Sequence, residues 1–220
     1  MLDVFNIATP QGCNIQTFYG YGGSNPTTYT WVKPRGVSNV YMMLIGGGGA
    51  GNGTTGGGSG AVTVWYGSAQ NVPDNLFVRP GQGAGTDTSV ERFASPSIVL
   101  LRANAGSSTT GGTATTANQF AASGFYQSIA GQNGSASDIP TPSSTTFLSG
   151  GAASGAVVAN YGYRTDSTNQ PGSFRMQPII VGSGGSGTTS NPVPGGIGCG
   201  GGAASPSGVG GPGMVLIASW

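Results

Sequence analysis

The sequence predicts an all-β fold, a β-sandwich or jelly-roll-like domain with long glycine-rich loops. Three observations carry that prediction. First, 44 of the 220 residues are glycine, with 25 serines and 22 threonines beside them. Strong helix formers are correspondingly scarce: Lys33 is the only lysine and Glu91 the only glutamate. Summed over any window, that composition disfavours a helical bundle or coiled coil. Second, short apolar and β-branched runs recur along the chain. Third, Gly, Pro, Asn and Ser separate those runs, which is the punctuation of short strands joined by turns.

The strands follow in order. Tyr29–Val32 is a short β-rich run before Lys33-Pro34-Arg35-Gly36. Asn39–Ile45 (NVYMMLI) is continuously apolar over strand length and ends on four glycines. Such a run bounded by turn residues reads as a strand. Ala61–Tyr66 (AVTVWY) is β-branched and aromatic, and Val62, Val64 and Tyr66 share one of its faces. Further strands are expected at Leu76–Arg79, Val90–Phe93, Ile98–Arg102, Thr145–Leu148, Ala156–Ala159, Ile179–Val181 and Met214–Ala218. Alternation within these runs nominates Val40, Met42, Leu44, Val62, Val64, Val215 and Ile217 for the core. Only Thr116–Ser123 carries helix signals, with Thr116 as a candidate N-cap and Gly124 as a stop. No charge shift or Pro-rich linker marks a boundary, so residues 1–220 read as a single glycine-rich β domain. Residues 1–30 are expected to be an N-terminal extension and 105–155 a loop-rich middle.

Composition also bounds function. Seven basic and six acidic residues leave a net charge of +1, which is no electrostatic footprint for nucleic acid. No apolar run approaches the ~20 residues that cross a bilayer. Met1-Leu2-Asp3-Val4 shows no basic region leading into an apolar core, so no signal peptide is expected. Histidine is absent, so Ser-His-Asp, Cys-His and His-metal chemistry have no residues to work with. The carboxylates are dispersed, and the one close pair, Asp87 and Glu91, lies beside Arg92 and reads as a surface ion pair. The expectation is no enzyme, no cofactor and no metal. Cys13 and Cys199 fit either a disulfide between the two ends or two free thiols.

Gly46, Gly48 and Gly51 satisfy G-x-G-x-x-G after an expected strand. A dinucleotide site needs a helix to begin there, so that its N-terminus can carry the pyrophosphate. Asn52-Gly53-Thr54-Thr55 and more glycine follow instead. Asn52-Gly53-Thr54 and Asn133-Gly134-Ser135 are formal glycosylation sequons, without meaning unless the chain is secreted. Tyr19 and Tyr21, in Phe18-Tyr19-Gly20-Tyr21-Gly22, are candidate surface-binding aromatics that could stack on a sugar; a tight turn packing its tyrosines on a neighbour is the plainer reading.

An ordered set of motifs is more specific than composition. Trp31-Val32-Lys33-Pro34-Arg35-Gly36-Val37 leads to the strand Val40–Ile45 and then Gly46-Gly47-Gly48-Gly49-Ala50-Gly51. Gly56-Gly57-Gly58-Ser59-Gly60-Ala61 enters the next strand, and Val78-Arg79-Pro80-Gly81-Gln82-Gly83 follows. The chain closes on Gly210-Gly211-Pro212-Gly213-Met214-Val215-Leu216-Ile217. In this order the chain resembles the glycine-rich domain of bacteriophage tail, tail-fibre and other virion proteins, over Trp31–Gly83 and the last dozen residues. The resemblance implies a β-rich virion structural component, often trimeric, with no catalytic residues to carry over. A compact tail or fibre tip or a head decoration fits, with host attachment and a host cell-surface glycan as further expectations. Partners would be other copies of the chain and other virion proteins. An extracellular adhesive or ice-binding protein is a second reading, and a polysaccharide-degrading enzyme a third.

Clustered glycines let neighbouring backbones approach and pair, as extended or polyproline-II-like segments. Glycine also loses the most entropy on ordering, and contact between chains is expected to offset it. Gly46, Gly47, Gly48, Gly49, Gly51, Gly56, Gly57, Gly58, Gly200, Gly201, Gly202, Gly210 and Gly211 are therefore the candidate assembly loops.

Overall fold

The computed structural model describes residues 13–21, 27–83, 85–94, 97–115, 120–136, 148, 174–176, 179–181, 194–203 and 207–220. Its strands are β1 (Asn14–Tyr19), β2 (Tyr29–Val32), β3 (Asn39–Ile45), β4 (Val62–Ser68), β5 (Asn75–Arg79), β6 (Thr88–Ala94), β7 (Ser97–Ala103), β8 (Gly124–Ile129), β9 (Phe174–Met176), β10 (Ile179–Val181) and β11 (Met214–Ser219). One sheet has five strands in the order β1-β11-β3-β4-β8, and a second has four in the order β2-β5-β6-β7. Every pairing in both is antiparallel, and β9 and β10 form a separate antiparallel pair. The fold is an all-β sandwich.

The continuous apolar runs lie where burial on both faces requires them. β3 and β11 are at the centre of the five-stranded sheet, and β11 is buried along its whole length. The register sets the faces. Met42 lies opposite Trp65 and Ile217, and Leu44 opposite Thr63 and Val215. Val40, Met42, Leu44, Trp65, Val215 and Ile217 thus form one apolar layer. It packs on Trp31, Leu76, Val78, Val90 and Leu101 of the second sheet, which are in turn aligned by Trp31 opposite Leu76 and by Val78, Val90 and Leu101 in one row.

Val62 and Val64 do share a face, as expected, but it is the other one. They stand opposite Ile45 and Met43. Val62 joins a second cluster with Met43, Ile45, Leu148, Cys199, Met214 and Leu216, and Val64 is only half-buried against it. The sandwich layer takes its β4 contribution from Thr63 and Trp65 instead. A seven-residue apolar strand offers two candidate faces, and only the partner sheet distinguishes them.

Two strands arise where loops or an extension were expected. β1 lies within the supposed extension 1–30 and pairs with β11 from Asn14–Ser219 to Tyr19–Met214. β8 lies within the supposed loop-rich middle and pairs with β4. Both are at the sheet's edges and partly exposed, and their apolar residues, Ile15, Phe18 and Tyr19 in β1 and Phe125, Tyr126 and Ile129 in β8, follow no regular alternation. In the segment with helix signals, Ala121–Ser123 is a single 3-10 turn, and 116–119 lie outside the described residues. So do Ala156–Ala159 and all of Thr145–Leu148 except Leu148.

Candidate functional site: a glycine bundle at one end of the sandwich

One end of the sandwich continues into a body with almost no side chains. β3 runs out into Gly46–Gly49, β4 and β11 are entered from Gly56–Ala61 and Gly208–Gly213, and β7 and β8 run out into 104–112 and 131–134. These segments form no β-ladder, yet their backbones are paired. Gly57 and Gly60 donate N–H bonds to the carbonyls of Gly201 and Gly198 at 2.8 and 2.7 Å. Gly58 and Ala61 donate to Ser107 and Asn104 at 3.1 and 2.9 Å, and Gly56 and Ser59 to Ser135 and Gln132 at 3.0 and 2.8 Å. Each neighbour is met again three residues later, so successive N–H groups point to three different neighbours.

The same spacing recurs in the preceding segment. Gly46 and Gly49 donate to Ala61 and Gly58, whereas Gly48 and Gly51 donate to Gly211 and Gly208. A three-residue period is that of the polyproline II helix. Here the bonds that such a helix lacks internally are made between segments, and buried backbone groups are satisfied without a sheet.

This packing explains the glycines. A Cβ on Gly49 would fall within 3.0 Å of the Ser107 carbonyl, one on Gly48 within 3.0 Å of the Cys199 carbonyl, and one on Gly58 within 3.0 Å of the Thr110 carbonyl. All the candidate assembly loop glycines named above are buried, including Gly200, Gly202 and Gly210. The burial that sequence reasoning assigned to a neighbouring chain is supplied within this one. These glycines are an internal packing device and present no exposed contact surface.

Hydroxyl groups fasten the bundle where side chains do enter. Ser59, fully buried between glycines, accepts the Gln132 N–H at 2.7 Å and donates to the Leu148 carbonyl at 3.1 Å. Thr88 Oγ1 accepts the Gly81 N–H at 2.8 Å and donates to the Ile45 carbonyl at 2.6 Å, linking the four-stranded sheet to the bundle entrance. Thr88→Val keeps the shape and leaves the Gly81 N–H without its acceptor. It is expected to cost about 1–3 kcal/mol of unfolding free energy, read from denaturant midpoints.

The remaining candidates fall in different places. Tyr19 and Tyr21 are 39% and 69% exposed, where the chain leaves β1. Gly46, Gly48 and Gly51 precede no helix, and a pyrophosphate cradle does not form. Asp87 and Glu91 do not make a surface pair. Asp87 reaches Arg102 at 3.8 Å and accepts the Ala105 N–H, whereas Glu91 is buried, 3.5 Å from Arg79 and hydrogen-bonded by Ser89. The β-bulges between Val90 and Ala94 interrupt the regular pairing of β6 with β7 and so change its register there. Cys13 and Cys199 form no disulfide with each other, and Cys199 is buried in the outer cluster.

Sequence reasoning missed one feature. Ile15, Ala218, Tyr41, Tyr66 and Phe125 form a cross-strand row over all five strands, on the face turned away from the second sheet. Trp220 stacks on Tyr66 with ring centroids 5.8 Å apart. Ile15 and Phe125, at the two ends, are 42% and 60% exposed. The signal was Tyr41 in β3 and Tyr66 in β4, but strand order was needed to align them.

Burial raises the Tyr41 hydroxyl above its ordinary 10.0. Tyr41 is therefore neutral in the folded chain at a pH where the unfolded chain has begun to ionise it. Its contribution to stability is complete below pH 10 and is lost as pH rises through the folded value. Denaturant midpoints measured across that range should fall less steeply in Tyr41→Phe.

No family model matches the chain, and a search of curated proteins finds no match to it.

Proposed function

We propose that this chain is a bacteriophage virion structural protein, a compact tail or fibre-tip or head-decoration component that contributes to host attachment. The observation that supports the reading most is the glycine bundle. It turns the motif order that resembles phage glycine-rich domains into a rigid body of hydrogen-bonded backbone with little side-chain entropy to lose. Such a body suits a permanent part of a particle. We further propose a symmetric homo-oligomer, a trimer by the same resemblance. Since the glycines are buried, contact between copies or with other virion proteins falls to the edge strands β1 and β8, where Ile15 and Phe125 are exposed at the ends of the outer row. Exposed Tyr19 and Tyr21 are suited to stacking on a host surface glycan.

Purified particles provide the test. The chain should appear in their protein inventory in fixed stoichiometry, and antibodies against it should label one place on the particle and block adsorption. Its absence from particles would defeat the proposal. Native mass spectrometry of the purified chain tests the oligomer. Thermal hysteresis or polysaccharide cleavage by the purified chain would move the assignment to an ice-binding protein or an enzyme.

A further inference from the structure

The sequence contains two Asn-Gly dipeptides, Asn52-Gly53 and Asn133-Gly134. Glycine offers no side chain to obstruct attack by its amide nitrogen on the preceding asparagine, so the two are chemically equivalent in an unfolded chain. The fold makes them unequal. We infer that Asn52 is a self-modification site, converted to aspartate and isoaspartate with help from its own turn, and that Asn133 is protected.

Asn52 begins the turn linking two bundle segments, with its N–H donated to the Thr55 carbonyl at 2.8 Å. Its side-chain Oδ1 accepts the N–H groups of Thr54 at 3.0 Å and Thr55 at 2.7 Å, and Thr54 Oγ1 lies 3.5 Å away. Asn52, Gly53 and Thr54 are exposed, and nothing lies within 4 Å of the Cβ position of Gly53. The reaction needs only water and a solvent base. The Gly53 nitrogen gives up its proton and bonds to the Asn52 side-chain carbonyl carbon. Negative charge develops on Oδ1, where the two backbone N–H groups already converge. That is the arrangement of an oxyanion hole. The tetrahedral centre collapses, the side-chain nitrogen leaves as ammonia, and a cyclic imide remains. Water then opens either imide carbonyl. The net change is amide plus water to carboxylic acid plus ammonia, without oxidation or reduction.

Asn133 has the same sequence and a different setting. Its would-be nucleophile, the Gly134 N–H, donates to the Thr109 carbonyl at 3.0 Å. The Cβ position of Gly134 is pressed against the backbone of Gly56, and Gly56 in turn donates to Ser135 at 3.0 Å. Closing the imide ring would require this segment to leave the bundle. Asn133 Oδ1 also holds the Gly111 N–H at 2.8 Å.

Conversion at Asn52 places a carboxylate at an exposed turn of a chain whose net charge is only +1. The aspartate product can keep both N–H bonds, whereas the isoaspartate product lengthens the backbone of the turn. The test is incubation of the full-length chain in mildly alkaline buffer, folded and in guanidinium, with mass spectrometry of peptides spanning both sites. In guanidinium the two sites should convert at similar rates. In the folded chain Asn52 should convert at least as fast as in guanidinium, and Asn133 about tenfold more slowly or less. Thr55→Pro removes one donor and should slow folded Asn52 about tenfold while leaving its rate in guanidinium unchanged. If that variant does not fold, the folded-to-unfolded rate ratio of the native chain still decides. Slower conversion of Asn52 in the folded chain than in guanidinium would overturn the inference, as would Asn133 keeping pace with it.

Discussion

Gly49→Ala is expected to prevent stable folding, and Gly53→Ala, four residues away, to leave stability intact or raise it. Gly49 donates to Gly58 and accepts from Gly201, and its Cβ position is occupied by the Ser107 backbone. An added methyl group in a packed core commonly costs about 1–3 kcal/mol because side chains can shift to admit it. Here the obstacle is a carbonyl, and in this part of the bundle Ser107 accepts from Gly58 and donates to Thr110. A cost above about 4 kcal/mol is expected, a large part of the ~5–15 kcal/mol that holds a typical domain together. Gly53 has open space around it and no positive φ, so alanine there acts mainly on the unfolded chain and should stabilise by about 0.4–1 kcal/mol. Soluble yield and chemical denaturation of the two variants give the comparison. Similar stabilities would show that the glycine segments are not packed as described.

Trp65→Ala is expected to cost about 3–5 kcal/mol, the range for removing a large core aromatic. Trp65 is fully buried, its ring centroid lies 4.9 Å from that of Phe120, and its indole N–H donates to the Phe120 carbonyl at 2.9 Å. The change leaves a cavity between the sheets and removes the indole hydrogen bond, while the Phe120 carbonyl keeps its bonds from the Ser123 N–H and hydroxyl. Val64→Ala, one residue away on the half-buried outer face, should cost only about 1 kcal/mol. The difference reads out which face of β4 meets the second sheet, because the opposite register would reverse the order. Equilibrium unfolding monitored by circular dichroism measures both, since the change at Trp65 also removes a fluorophore.

The two predictions differ in how far the sequence alone could have led to them. The all-β class follows from composition and from short β-rich runs, because helix propensity and hydrophobic period are local properties. For the same reason Asn39–Ile45 and Met214–Ala218 announce themselves as strands by their apolar runs, although their place at the centre of the sheet came from the strand order. The lack of histidine, which removes whole classes of catalysis, is likewise a fact of sequence. The edge strands β1 and β8 hold apolar residues without a regular alternation, and they are identified by pairing with β11 and β4. Glycine clusters announce close backbone approach but not the partner, since a segment without side chains carries no code for what it meets. Gly49, Gly58, Ser107 and Gly201 come together from four separate parts of the chain, and the different fates of Asn52 and Asn133 follow from where those segments lie. The identity of the apolar strands was a local matter; the edge strands β1 and β8, the face each strand presents, the neighbours of each glycine and the row from Ile15 to Phe125 were decided by tertiary structure, because each depends on contacts between residues far apart in sequence.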